Sequence, residues 1–257
     1  MISTTITILG SGTCVPSLKR SACSVLIEVN DQKVLVDCGP GTMHRLLQAG
    51  VSIFDLTHLC FSHFHPDHTS ELVPLLFATK YPDSGRRQIP LMLVAGQGIR
   101  GFYEGLQKVY GHWIELPPGL LHIEALATDK PVTRDLKHFT LQTIPVEHNP
   151  ESIAFRINDP NGKSVVYSGD TDFSDNLVSL ANGADLLICE SAFPDAAKVP
   201  GHLSPSTAGE IARRANVGQL VLTHFYPECD QADLISECRQ TYTGPLILAE
   251  DLLKLRL

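Results

Sequence analysis

The chain has 257 residues, of which 43% are hydrophobic and 19% charged, and 20 basic against 28 acidic residues give a formal net charge of -8. That composition belongs to a globular protein long enough to bury a sizeable core, in one large domain or two small ones. The acidic balance excludes a broad basic surface for polyanions but not a local basic patch, and no apolar run is long enough to cross a bilayer. The start, Met1 to Leu9, lacks a basic n-region and a cleavage site, which predicts no export signal. The seven cysteines (Cys14, Cys23, Cys38, Cys60, Cys189, Cys229 and Cys238) are scattered without a CxxC pair. They predict reduced thiols in a cytoplasmic protein, not a disulfide framework or a four-cysteine zinc site.

Thr4 to Leu9 alternates threonine with aliphatic residues and predicts a strand closing on the turn Gly10 to Thr13. That turn lacks the lysine of a P-loop and the third glycine of a dinucleotide fingerprint. Ala22 to Glu28 and Lys33 to Val36 predict a hairpin through Asn30-Asp31, followed by Asp37-Cys38-Gly39-Pro40-Gly41 and a helix over Thr42 to Ala49. Leu56 to Phe61 predicts a buried strand, and directly after it comes Ser62-His63-Phe64-His65-Pro66-Asp67-His68. His63 and His65 are two apart, so in extended chain both point to one side and can grip one ion. Pro66 ends the extended stretch, and the next segment, Thr69 to Thr79, reads as a helix. Asp67 and His68 open that segment and can serve a second ion.

Tyr81 to Pro90 reads as a polar loop, with Arg86 and Arg87 as solvated charges or as guides for an anionic substrate. Leu91 to Ala95 predicts a strand and Gly98 to Val109 a helix. Tyr110 to Asp129 carries no clear pattern. His112, His122 and His138 read as surface or packing residues, and Trp113 as core or pocket wall. Phe139 to Val146 predicts a strand running into Glu147-His148. Ser152 to Ile157 and Ser164 to Tyr167 predict a hairpin leading to Ser168-Gly169-Asp170-Thr171. Then come a helix over Phe173 to Ala181, a buried strand over Ala184 to Cys189 ending in Glu190, and a helix beginning at Ser204-Pro205, with serine as cap and proline at the first helical position. Gln219 to Thr223 predicts a strand ending in His224, Gln231 to Gln240 a helix, and Leu246 to Ala249 a last strand.

One regularity ties these segments together. Asp37, His63, His148, Asp170, Glu190 and His224 each fall within a few residues of the end of an apolar strand. In α/β folds those ends share a rim where ligands sit, and rigid strands hold the exiting side chains in place. The pattern spans residues 37 to 224, so a split would cut the site in two, and a single domain over 1–257 is expected. His63, His65 and His148 would hold one ion, and Asp67, His68 and His224 a second. Asp170 would bridge them at about 3.5–4 Å, the usual spacing of paired metals in hydrolases. The nitrogen and oxygen donor set suits Zn2+ and also admits Mn2+ or Fe2+. Water held by two cations loses a proton near neutral pH and becomes the nucleophile, and Asp67 could also take that proton. Asp37 and Thr171 are expected to orient ligating histidines.

The series His63-x-His65-x-Asp67-His68, His148, Asp170 and His224 resembles the metallo-β-lactamase superfamily, and within it ribonuclease Z and related phosphodiesterases. The likeness covers nearly the whole chain, through Leu9 to Thr13, Asp37 to Thr42, Tyr167 to Thr171, Ala184 to Glu190, Leu222 to Phe225 and Ala249 to Asp251. It implies a four-layer αβ/βα sandwich with two metals at its rim and a hydrolase acting on phosphodiesters. Glu190 is similar to the glutamate of the family's His-Glu-Ala-Thr motif, and His202, in His202-Leu203-Ser204, to the histidine of its His-Ser-Thr motif. The resemblance implies that this pair passes a proton to the leaving group. Independently, His202 precedes a helix start whose free N–H groups favour an anion, and a glutamate partner would keep it protonated.

The chain also departs from ribonuclease Z. Only 21 residues separate His148 from Asp170, so the arm that clamps transfer RNA is absent, and Phe225-Tyr226-Pro227-Glu228 stands where the family has serine and arginine. With the acidic charge, these departures argue against transfer RNA and for a small molecule or short nucleotide as substrate. The same cradle would also serve a lactone or thioester hydrolase. A non-hydrolytic di-iron redox or metal-binding protein is a third reading, opposed by His65, which redox members replace with glutamate. His68 departs from the β-lactamases themselves. The family also contains homodimers, which no residue here demands.

Overall fold

The computed structural model describes residues 4–81 and 86–257. Positions 1–3, within the start read as lacking an export signal, and positions 82–85, within the polar loop, lie outside the described residues. Strands β1 (Thr5–Gly10), β2 (Ser24–Val29), β3 (Gln32–Val36), β4 (His58–Phe61), β5 (Leu91–Gly96) and β6 (Leu121–Leu126) lie side by side in that order. The C-terminal strand β14 (Leu253–Arg256) returns to close the edge of this sheet against β1, so that seven strands pair. A second seven-stranded sheet runs β13 (Leu246–Leu248), β12 (Leu220–Thr223), β11 (Leu186–Glu190), β10 (Ser164–Tyr167), β9 (Ile153–Asn158), β8 (Thr140–Pro145), β7 (Val132–Asp135). Both sheets are mixed, with parallel pairing from β3 to β6 and from β10 to β13.

Strand alternation builds the layers. In β2, Val25, Ile27 and Val29 face the space between the sheets, where they share one apolar cluster with Phe155 and Ile188, while Leu26 turns to the opposite side. That opposite side is covered by α1 (Thr42–Gln48), α3 (Leu72–Lys80) and α4 (Ile99–Tyr110), which contribute Leu46, Leu72, Leu75, Leu76 and Ile99. The far face of the second sheet is covered by α5 (Asp175–Ala181), α6 (Pro205–Arg214) and α7 (Leu234–Arg239) through Leu177, Ile211 and Leu234. The result is the αβ/βα sandwich that the resemblance implies. Among the described residues, no helix is long and apolar enough to cross a membrane.

Several expectations need correcting. Between Tyr110 and Asp135 lie a short 3-10 turn and the strands β6 and β7, and β14 follows the strand expected to be last. The helix expected over Thr69 to Thr79 is two pieces, α2 (Pro66–Thr69) and α3, and the one expected from Gln231 begins at Leu234 after a 3-10 turn. Arg87 is neither solvated nor free to guide a substrate. It is 2% exposed, and its guanidinium donates to the carbonyls of Ile53, Leu56 and Ile89 at 2.6, 2.7 and 3.3 Å. It pins the loop after α3 to the segment before β4, and the buried carbonyl of Leu56 gains the donor it needs.

Candidate active site

The rim is made by the C-terminal ends of strands that run the same way in each sheet. Asp37 follows β3, His63 follows β4, His148 follows β8, Asp170 follows β10, Glu190 ends β11 and His224 follows β12. Backbone contacts lock the loops together. Cys38 N donates to His68 O at 2.7 Å and Glu71 N to Cys38 O at 3.0 Å, which fastens the turn after β3 to α2. Gly39 is needed there, because a Cβ would stand 1.9 Å from Asp67 O. Across the rim Gly169, at φ +59°, lies against Ser62, and a Cβ on it would stand 2.6 Å from that of Ser62. The turn carrying Asp170 is thereby seated on the turn carrying His63. Asp37 and His224 both adopt left-handed backbone, at φ 59° and 63°, a conformation uncommon outside glycine that aspartate and histidine tolerate better than most residues.

Inside this frame seven of the expected side chains meet. His63, His65, His148 and Asp170 present one donor atom each within 4.8 Å of one another, and so do Asp67, His68 and His224. Asp170 faces both groups. Its Oδ2 lies 3.6 Å from His63 Nε2 and 4.0 Å from His148 Nε2, while its Oδ1 lies 3.3 Å from both His68 Nε2 and His224 Nε2. Asp67 Oδ2 sits 3.8 Å from His224 Nε2 and 3.9 Å from His68 Nε2. Buried polar atoms are ordinarily paired, yet Asp170 Oδ1 and His63 Nε2 have no hydrogen-bond partner here. Lone pairs aimed inward from a buried acid and a buried imidazole fit a cation.

The outward nitrogens of His63, His65, His68 and His148 are held, which turns the inward ones to the cluster, whereas His224 Nδ1 has no hydrogen-bond partner. Asp37 Oδ2 stands 2.7 Å from His68 Nδ1 and also accepts from the Ser62 and Tyr167 hydroxyls, each at 2.8 Å. Ser62 Oγ is 3.0 Å from His63 Nδ1, the Gly201 carbonyl 2.8 Å from His148 Nδ1, and the Asn149 amide 3.1 Å from His65 Nε2. Such outer contacts fix ring orientation and tautomer in metal sites. Asp37 thus orients a histidine as expected, and Thr171 does not. The Thr171 hydroxyl donates to Asp172 O, and its N–H donates to Glu190 Oε1.

Ser62 and Asn149 were missed although each is the sequence neighbour of an expected ligand, which is the signal that could have flagged them. Nothing in the sequence points to Tyr167, whose hydroxyl reaches Asp37 from the other sheet.

Electrostatics follow from burial and from these carboxylates. Burial, reinforced by the neighbouring His68, pushes His63 down to about 2. Burial would also lower His68, but Asp170 and Asp37 outweigh it and raise His68 well above an ordinary imidazole. Asp170, despite burial, is held well below the usual carboxylate range by His224 and His68. The rim therefore stabilises positive charge at its centre. Beside it, His202 Nδ1 lies 3.0 Å from Glu190 Oε1, and Glu190 accepts from the backbone N–H groups of Thr171, Ala192 and Leu203 at 2.7, 3.3 and 3.2 Å. Burial opposes protonation of His202, but Glu190 overrides it and raises the imidazole.

Comparison with known proteins agrees with this geometry. A family model described as "Beta-lactamase superfamily domain" matches residues 32–225. The uncharacterized protein Rv1339 of Mycobacterium tuberculosis (strain ATCC 25618 / H37Rv) is 32% identical over 249 residues, covering 96% of this chain and 89% of its own. A protein named Ribonuclease Z, from Mycobacterium bovis (strain BCG / Pasteur 1173P2), is 32% identical over 243 residues, covering 86% of each chain. Among solved structures, the metallo-beta-lactamase fold protein YhfI from Bacillus subtilis superposes with a TM-score of 0.84 at 25% identity, covering 100% of both chains.

Proposed function

The chain belongs to the beta-lactamase superfamily, and on that premise we propose that it is a dinuclear metal-dependent hydrolase that cleaves a phosphodiester. The observation that carries the reading is the division of Asp170, one oxygen facing His63 and His148 and the other facing His68 and His224. His63, His65 and His148 would hold one cation and Asp67, His68 and His224 a second, with Asp170 facing both groups. These nitrogen and oxygen donors fit Zn2+, and also Mn2+ or Fe2+. Divalent cations held there would supply Lewis acidity, acidifying a water near neutral pH and polarising the phosphoryl group.

The protein's own groups complete the chemistry. Asp67 Oδ2 faces into the cluster and its carboxyl, although burial raises it, is lowered to about 2 by His224 and His68, so it stays ionised and free to accept a hydrogen bond or proton from the attacking water. His202 holds the proton that the leaving oxygen needs, on the ring nitrogen opposite the one engaged by Glu190. Glu190, anchored by three backbone N–H groups, keeps that imidazole charged and fixes its plane. A group that protonates a poor leaving group favours an ester of an alcohol over a thioester, and the relative named Ribonuclease Z supports a phosphodiester among such esters.

The substrate is small. The 21 positions between His148 and Asp170 hold the β9–β10 hairpin and its flanking turns, leaving no length for an arm around transfer RNA. With the net charge of -8, this favours a small phosphodiester or a short nucleotide. The reading is of a single-domain protein working in the cytoplasm, where its seven free cysteines stay reduced. Metal analysis paired with a panel of phosphodiesters, lactones and thioesters tests it. About two divalent ions per chain with turnover of phosphodiesters is expected. Turnover of lactones or thioesters with every phosphodiester untouched would overturn it.

A further inference from the structure

Four rings, that of His202 among them, form a corner at the proton-donating pair. His202 and His224 lie parallel, 5.6 Å apart with 14° between their planes. Phe193 and Tyr226 are stacked on each other at 4.4 Å and 18°. The second pair stands nearly perpendicular to the first: Phe193 meets His202 at 72°, and Tyr226 meets His202 at 74° and His224 at 77°, with centroids 6.1–6.5 Å apart. The imidazole wall of this corner is largely buried, whereas Phe193 and Tyr226 are only partly buried and keep ring surface open. The Tyr226 hydroxyl, 3.4 Å from Cys14 Sγ, ties its ring to the loop after β1.

We propose that Phe193 and Tyr226 are the specificity-determining wall for a flat aromatic group carried on the leaving-group side of the substrate, a nucleobase on a nucleoside alcohol being the group of that chemistry in a short nucleotide. The inference rests on the phosphodiesterase reading above. Hydrolysis breaks the P–O bond to the departing alcohol and forms one from a water oxygen to phosphorus; the alkoxide oxygen takes its proton from His202, and the water's lost proton returns to the protein. The departing alcohol must therefore sit against His202. Whatever it carries next meets the two rings that flank that imidazole. Aromatic rings stack bases without regard to their sequence identity. Packing alone would ask only for apolar bulk beside His202, and it would not need two rings stacked on each other and left partly exposed.

The test is calorimetric titration of the zinc-loaded enzyme with adenosine 5′-monophosphate and with ribose 5-phosphate, which share the phosphate ester and differ in the base. The wild type should bind the adenosine compound at least tenfold more tightly. In Phe193→Leu and Tyr226→Leu that ratio should fall below threefold while ribose 5-phosphate binding stays within twofold, and Tyr226→Phe should retain the ratio. Equal binding of the two ligands by the wild type, or a ratio that survives both leucine variants, would overturn the proposal. Hydrolysis of bis(p-nitrophenyl) phosphate is followed alongside. Cleavage with equal binding removes the aromatic wall and leaves the phosphodiesterase reading standing, whereas no cleavage and no phosphate binding removes both.

Discussion

The two sides of the rim are built in different ways. On the first sheet's side His63, His65, Asp67 and His68 come from one short stretch, where β4 gives way to α2, and Asp37 from the adjacent strand holds the deepest of them. On the second sheet's side His148, Asp170, Glu190, His202 and His224 come from separate strands and loops spread over 77 positions of sequence, 148 to 224. The first side is a local motif steadied by side-chain oxygens. The second exists only once the sheet has formed, and it leans on backbone: the Gly201 carbonyl under His148, and three N–H groups under Glu190. A contiguous motif can thus be formed by neighbours in sequence, while Asp170 and the His202–Glu190 pair reach the rim only through long-range folding.

Asp170 is where the two sides meet, so its loss should have the largest effect. Asp170→Ala is expected to lower metal content and to abolish hydrolysis together, by at least about three orders of magnitude given what paired cations contribute. Elemental analysis and diester turnover read both, and a fully metallated, active variant would remove the bridge. Next comes a cut confined to the second side. His202→Ala should keep its metal yet lose about 10²–10⁴-fold on a diester with a poor leaving group, and far less on one whose leaving group needs no proton. Equal losses on the two substrates would deny His202 its role as acid.

On the first side, Asp37→Asn removes the charge behind His68 while keeping the shape. A drop of about 10–100-fold in metal affinity is expected, measured by competition with a chelator. Unchanged affinity would mean that the motif is steadied by its backbone alone. The smallest effect should come from touching neither side. His58, at the opposite end of β4, is 9% exposed and is lowered by burial, with a further push from His138, to about 4. The unfolded chain takes up this proton near 6.5 and the folded chain only near 4, so stability falls as pH drops through that window, by on the order of 3 kcal/mol. His58→Gln should flatten this acid limb in urea titrations between pH 7 and 4 without altering metal content. An unchanged limb would place the acid sensitivity elsewhere.

The same contrast decides what could be read from sequence. The His63 to His68 stretch announces itself, and the scattered side became legible only through the habit of acids and histidines following apolar strands. Strands β6 and β7 escaped because they are half-exposed, Val132-Thr133-Arg134-Asp135 showing no apolar run at all. Strand β14 did alternate, Leu253-Lys254-Leu255-Arg256, but its partner is the first strand of the chain, a pairing no local pattern reveals. Arg87 misled for a related reason: the carbonyls of Ile53 and Leu56 that hold it lie more than thirty positions away. Local periodicity carries helices and buried strands. It does not carry edge strands, buried cations or the hydroxyl of Tyr167.

The central claim is that Asp170 sits between two cations. Anomalous diffraction at the zinc edge from crystals grown with Zn2+ tests it most directly. Two peaks are predicted, one among His63, His65 and His148 and the other among Asp67, His68 and His224, with one oxygen of Asp170 turned to each. A single peak, or two peaks that both leave Asp170 untouched, would contradict the account.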